Sequence, residues 1–178
     1  MGVCYSMYNQ RRQRNKLIRV DPEDCEKRTF QGVTRLAKLT DIYDGDTFTI
    51  ITNLCDGEKL YKYSIRLYGI DTPELKPRYC TADRELHIRA AKHVRDLLKD
   101  SYPVGTMFYV DFEKEEKYGR VMGTIWTAHQ GMFGIGGWKK GKNICQWLID
   151  NKYALSYGGA TKGEFTKSFL EAIVGQRS

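Results

Sequence analysis

Hydrophobic and polar positions alternate along much of the chain after residue 30, and the alternation predicts a meander of strands. Val33–Leu39 and Thr47–Ile51 are rich in apolar and β-branched residues, and the Asp44-Gly45 pair between them is a tight-turn signal. A second turn, Asp56-Gly57, leads into a strand at about Lys59–Tyr68. There Ile65 and Leu67 face one way, while Ser64, Arg66 and Tyr68 face the other and carry a guanidinium toward a surface. The period then changes. Leu86, Ala90, Val94 and Leu97 recur at helical spacing, with Thr81 as N-cap, Asp83 and Glu85 in the first turn and Pro103 as the stop. His87 and His93 lie six apart on this helix, a spacing that does not share one metal-ligating face, and both are expected at the surface.

Met107–Phe112 alternates again. Residues 113–117 form a charged turn, and Tyr118–Thr127 is the returning strand. The glycine-rich stretch Gly131–Gly141 is expected to be a flexible loop. Asn143 caps a short helix through Asn151 that buries Ile144, Trp147 and Leu148. A last helical pattern spans Gly163–Val174, with Phe165, Phe169 and Ile173 spaced by four. Five short strands with a helix inserted after the third and two C-terminal helices predict an α+β fold built on an OB-type barrel. Residues 31–178 form this domain and residues 1–30 an arm.

Charge sharpens the division. The net +7 comes mostly from Arg11, Arg12, Arg14, Lys16 and Arg19, which no acid accompanies before residue 21. From residue 41 onward, 20 bases face 18 acids, so bulk charge gives no argument for nucleic-acid binding by the barrel. Five widely spaced cysteines without a CxxC argue against a disulfide framework and against structural zinc, and fit a reducing, intracellular compartment. No apolar run is long enough to span a bilayer. The first six residues match the Met-Gly-x-x-x-Ser pattern for myristoylation at Gly2, with Cys4 placed for a second acyl chain and the basic cluster placed for anionic headgroups. That reading makes the arm a membrane tether. The bland reading is a solvated arm on a cytoplasmic protein.

Three patches carry candidate chemistry, each near a strand end: Asp44-Gly45-Asp46-Thr47, Arg66 followed by Asp71-Thr72-Pro73-Glu74, and Lys117-Tyr118-Gly119-Arg120. Singly, each reads as a turn or hairpin device. Together they supply what phosphodiester hydrolysis needs: hard oxygen ligands for a divalent cation, a carboxylate to orient or deprotonate water, and guanidiniums to hold phosphoryl oxygens.

In order and content these patches resemble the staphylococcal nuclease (thermonuclease) family, over about residues 33–157. The Asn143-to-Leu148 segment is similar to that family's short helix. The resemblance implies a Ca²⁺-dependent nuclease that acts on DNA and RNA and leaves 3′-phosphate ends, and the chain is expected to be a monomer. It implies that Asp46 and Asp71 offer carboxylates to the metal, Thr72 its backbone carbonyl, and Asp44 a contact through water. Glu74 would be the general base, Arg66 and Arg120 the phosphate clamp, and Lys117 and Tyr118 neighbours of the nucleotide. The chain departs from the family where nucleotide-stacking tyrosines are expected. It reads Tyr153-Ala-Leu-Ser-Tyr157-Gly-Gly, and Tyr157 stands nearest that role. The Gly-rich stretch and the arm lie outside the resemblance. The competing readings are an OB module that binds nucleic acid without cleaving it, and a membrane-tethered adaptor.

Overall fold

A computed structural model describes residues 30–54, 59–77, 83–115, 120–130, 137–158 and 164–176, with Arg14, Ile18 and Arg19. The remaining positions, including Gly2, Cys4, Lys117 and Tyr118, lie outside the described residues, as do the expected cap Thr81 and every cysteine except the buried, free Cys145.

Five strands close into a barrel. β1 (Val33–Asp44) pairs antiparallel with β2 (Thr47–Thr52) along its second half and with β5 (Met107–Glu115) along its first. It serves both neighbours because register shifts between Leu39 and Asp41 and between Ile42 and Asp44 bend it midway. β2 pairs with β3 (Tyr61–Leu67), and β5 with β6 (Val121–Gln130). A parallel pairing of β3 with the start of β6 closes the ring. The result is the expected OB-type α+β barrel, with three helices among the described residues.

The strand period explains the core. On β2, Phe48 and Ile50 point inward, on β3 Ile65 and Leu67, and on β5 Phe108, Val110 and Phe112; all are essentially inaccessible. Each such side chain contributes on the order of 1.5–3 kcal/mol by leaving water. Helix α1 (Arg84–Ser101) packs on β1 and on α3 (Lys167–Gly175). Its N-cap is Asp83, whose carboxylate accepts from the Glu85 and Leu86 amides at 2.9 and 3.3 Å. Helix α2 (Ile144–Asp150) starts at Asn143, as expected, and buries Ile144 and Leu148.

Three expectations change. Residues 131–136 of the stretch read as a flexible loop lie outside the described residues, while residues 138–141 belong to strand β7 (Trp138–Asn143), added antiparallel to the far half of β6. Its sequence, Trp-Lys-Lys-Gly-Lys-Asn, has no apolar alternation, because almost all of it is exposed and its backbone bonds to β6 hold it. The strand at Met107 continues through Glu115, into residues read as a turn. Finally, both helix α1 histidines leave the surface. His87 is buried, and His93 is half-buried beside the Tyr153 ring.

Candidate active site

Two short connections meet at one end of the barrel. The β1–β2 turn carries Asp44, Gly45 and Asp46. The segment after β3 makes a turn at Tyr68-Gly69 and then a two-residue strand, β4 (Ile70–Asp71), paired with β8 (Leu155–Ser156). Gly69 has φ of +77°, a left-handed conformation that a side chain would strain. The two connections touch. A Cβ built on Gly45 would sit 2.7 Å from Thr72 Oγ1 and 2.9 Å from Val94 Cγ1, so only glycine lets the turn reach this close to Thr72 and α1.

That approach gathers four charged groups. Arg66 pairs with Thr47 in the β2–β3 register, one residue past Asp46, and the Leu67 amide donates to the Asp46 carbonyl at 2.7 Å. Arg66 Nη1 lies 2.9 Å from Asp46 Oδ2, and Nη2 donates to Asp71 Oδ1 at 3.1 Å. One guanidinium therefore bridges the two carboxylates expected to ligate metal. Arg66 does not reach the surface as expected: it is 7% exposed, and Asp46 and Asp71 are 2% and 3%. Asp46 and Asp71 close over its guanidinium, whereas on the same face of the strand Ser64 is half-buried and Tyr68 is exposed.

Asp44 faces the same cluster. Its Oδ1 accepts from the Asp46 amide at 3.3 Å. Burial first, and the Asp44 charge second, push the Asp46 carboxyl up to about 7 against the pull of Arg66. Asp46 Oδ1 accepts from the Thr47 hydroxyl at 3.0 Å. Asp46 Oδ2 has only the ion-pair contact and no well-directed hydrogen bond, and the buried Thr72 hydroxyl has none either. Three buried carboxylates around one guanidinium leave an excess of negative charge, an arrangement that suits a hard cation. The expected donor set, two carboxylates and a carbonyl, is sparse in acids. Among the described residues, no three His, Cys, Asp or Glu side chains form a metal-holding group by themselves.

Arg120 immediately precedes the neighbouring strand β6. The parallel register aligns Arg66 with Met122, so Arg120 precedes that partner by two residues, roughly 7 Å along the strand. It is half-buried. Glu74 follows the buried Pro73 and is half-buried. Its amide donates to His87 Nε2 at 3.0 Å. Tyr157 is half-buried just past β8, and its amide donates to the Gly69 carbonyl at 2.8 Å, which ties the tyrosine to the turn after β3. Of the expected site residues described, Asp44, Asp46, Arg66, Asp71 and Thr72 form one cluster. Glu74 lies on the same connection, Arg120 just before β6, and Tyr157 is tied to the Gly69 turn.

Sequence reasoning missed His87. The signal was present: His87, Ala91, Val94 and Leu98 fall at one helical stripe, and all four are buried. It also missed the need for glycine at position 45, which only the approach of Thr72 and Val94 reveals. Compared with protein-family models and with curated proteins, the sequence finds no match.

Proposed function

We propose that the chain is a metal-dependent phosphodiesterase that hydrolyses DNA and RNA, of the staphylococcal nuclease type its motifs resemble. The observation that carries this reading is the buried bridge Asp46–Arg66–Asp71, with an oxygen of Asp46 left without a hydrogen bond. A core without a ligand to hold gains little from burying three acids and one arginine, because desolvation offsets most of the attraction. Asp46, Asp71 and the Thr72 carbonyl would hold Ca²⁺, with Asp44 acting through water. When bound, the cation neutralises the phosphodiester and polarises phosphorus.

The chain's own groups do the rest. Glu74, on a connection stiffened by Pro73, orients a water and accepts its proton. Arg66, on β3, and Arg120, just before β6, grip the phosphoryl oxygens and stabilise the charge that develops on them. Arg66 can serve only when Asp46 and Asp71 are satisfied by something other than its guanidinium. Tyr157 offers a ring for a base. The test is incubation with single-stranded DNA and millimolar Ca²⁺. Degradation that a chelator abolishes is expected, and intact DNA overturns the reading.

A second reading has one observation in its favour. Both Arg66 terminal nitrogens contact carboxylates, which suits an OB module that binds nucleic acid without cleaving it. In that case Arg66 holds the turn and loop together, and its replacement alters stability without altering turnover.

A further inference from the structure

We propose that His87 is a positioning residue that holds Glu74 in place through the backbone; this rests on the phosphodiesterase reading. His87 opens the buried stripe of helix α1 and is 6% exposed. Its Nε2 accepts the Glu74 N–H at 3.0 Å. Phe165, from the segment before α3, meets the imidazole edge-on, with ring centroids 5.5 Å apart at 80°. Two elements distant in sequence thus fix one ring, and the ring fixes one amide.

The chemistry of the contact is specific. An acceptor at Nε2 requires the neutral imidazole with its proton on Nδ1. The contact engages the backbone of Glu74 rather than its carboxylate. Pro73 restricts the chain immediately before Glu74, and His87 anchors the amide that follows. Together they leave the Glu74 side chain to swing from a fixed base. A general base must sit within hydrogen-bond reach of the proton it takes, and a displacement of about 1 Å costs roughly 10²-fold in rate. A helix–loop staple that only filled space would work with any side chain of similar volume; a positioning contact needs an acceptor.

His87→Leu and His87→Gln separate these cases. Leucine fills similar space without an acceptor, whereas glutamine offers its amide oxygen, and both suit a helix. Cleavage of single-stranded DNA in Ca²⁺ is measured for kcat and KM, alongside hydrogen exchange of the Glu74 amide in the full chain. His87→Leu is expected to lower kcat by about 100-fold, with KM changed less than about threefold, and to speed exchange at Glu74. His87→Gln is expected to restore most of both. Wild-type kcat in His87→Leu, or a glutamine variant no better than the leucine one, overturns the proposal. So does loss of the folded circular-dichroism signal in both variants, which makes the contact a requirement of the fold. A wild-type protein that leaves DNA intact overturns the hydrolase reading and the role of His87 together, whereas active wild type with equally active His87→Leu strikes His87 alone.

Discussion

Adding one methyl group at Gly45 tests how the site is assembled. The new Cβ would lie 2.7 Å from Thr72 Oγ1, 2.9 Å from Thr72 Cβ and 2.9 Å from Val94 Cγ1. Ordinary carbon contacts run to about 3.5–4.0 Å, so the turn and the Asp71–Glu74 connection must part by roughly 1 Å. None of the three atoms is the far end of a long, flexible side chain: Thr72 is 1% exposed and Val94 is fully buried. Overpacking of this kind costs about 1–3 kcal/mol. For a chain of this size that is a fall in Tm of roughly 2–12 °C. The same parting moves Asp46 away from Asp71 and Thr72, so turnover should fall by about 10²-fold, more than the stability loss explains at a temperature where the variant remains folded. Gly69→Ala is the control. No atom lies within 4 Å of a Cβ there, and its cost is backbone strain at φ +77°, about 1–2 kcal/mol. Thermal melts by circular dichroism and initial rates on single-stranded DNA check both variants. A Gly45→Ala protein that melts and cleaves like wild type would refute the close packing of turn and loop.

Further outcomes follow from the same contacts. Arg66→Lys replaces a fork that reaches Asp46 and Asp71 with separate nitrogens by a single ammonium, and should cost far more in turnover than in Tm; near-normal turnover undoes the clamp assignment. On the outside of the barrel, burial raises the Asp111 pKa, but hydrogen bonds from Lys140, Thr34 and Trp126 outweigh it, and the net direction is below the ordinary 3.8. The stabilisation from ionised Asp111 is therefore full above 3.8 and lost as pH falls through the lower folded value. The urea-midpoint gap between wild type and Asp111→Asn should be open at about pH 6 and narrow as pH falls below 3.8, and a pH-independent gap contradicts the assignment. For the arm, Gly2→Ala should release the protein from membranes if the tail is acylated, and an intact mass without an acyl group on the wild type removes the lipidation expectation.

The barrel was legible because its strands obey period two and its first turn is marked by Asp44-Gly45. Ile65 and Leu67 read as one face of a strand, and both are buried. Caps at helix starts were legible where a side chain has one local partner, as at Asn143. What sequence could not supply depends on contacts between distant segments. β7 has no strand signal of its own and exists by pairing with β6. Arg66 alternates to the polar side of β3, yet Asp46 and Asp71 bury its guanidinium there, and alternation cannot distinguish a solvent-facing position from a covered one. His87 was weighed as a metal ligand against His93, when the relevant comparison was its place on the apolar stripe with Ala91, Val94 and Leu98. The candidate site's residue types were visible in three motifs. Their convergence, and the engagement of Arg66 by Asp46 and Asp71, belong to the fold.

The most direct measurement compares wild type with Glu74→Gln on single-stranded DNA in Ca²⁺, each with and without chelator. The account predicts that wild type cleaves and that chelator stops it. It also predicts that the glutamine variant is slower by about 10²–10⁴-fold while melting at the wild-type temperature. DNA that is bound but left intact by the wild-type protein, with and without chelator, would contradict it.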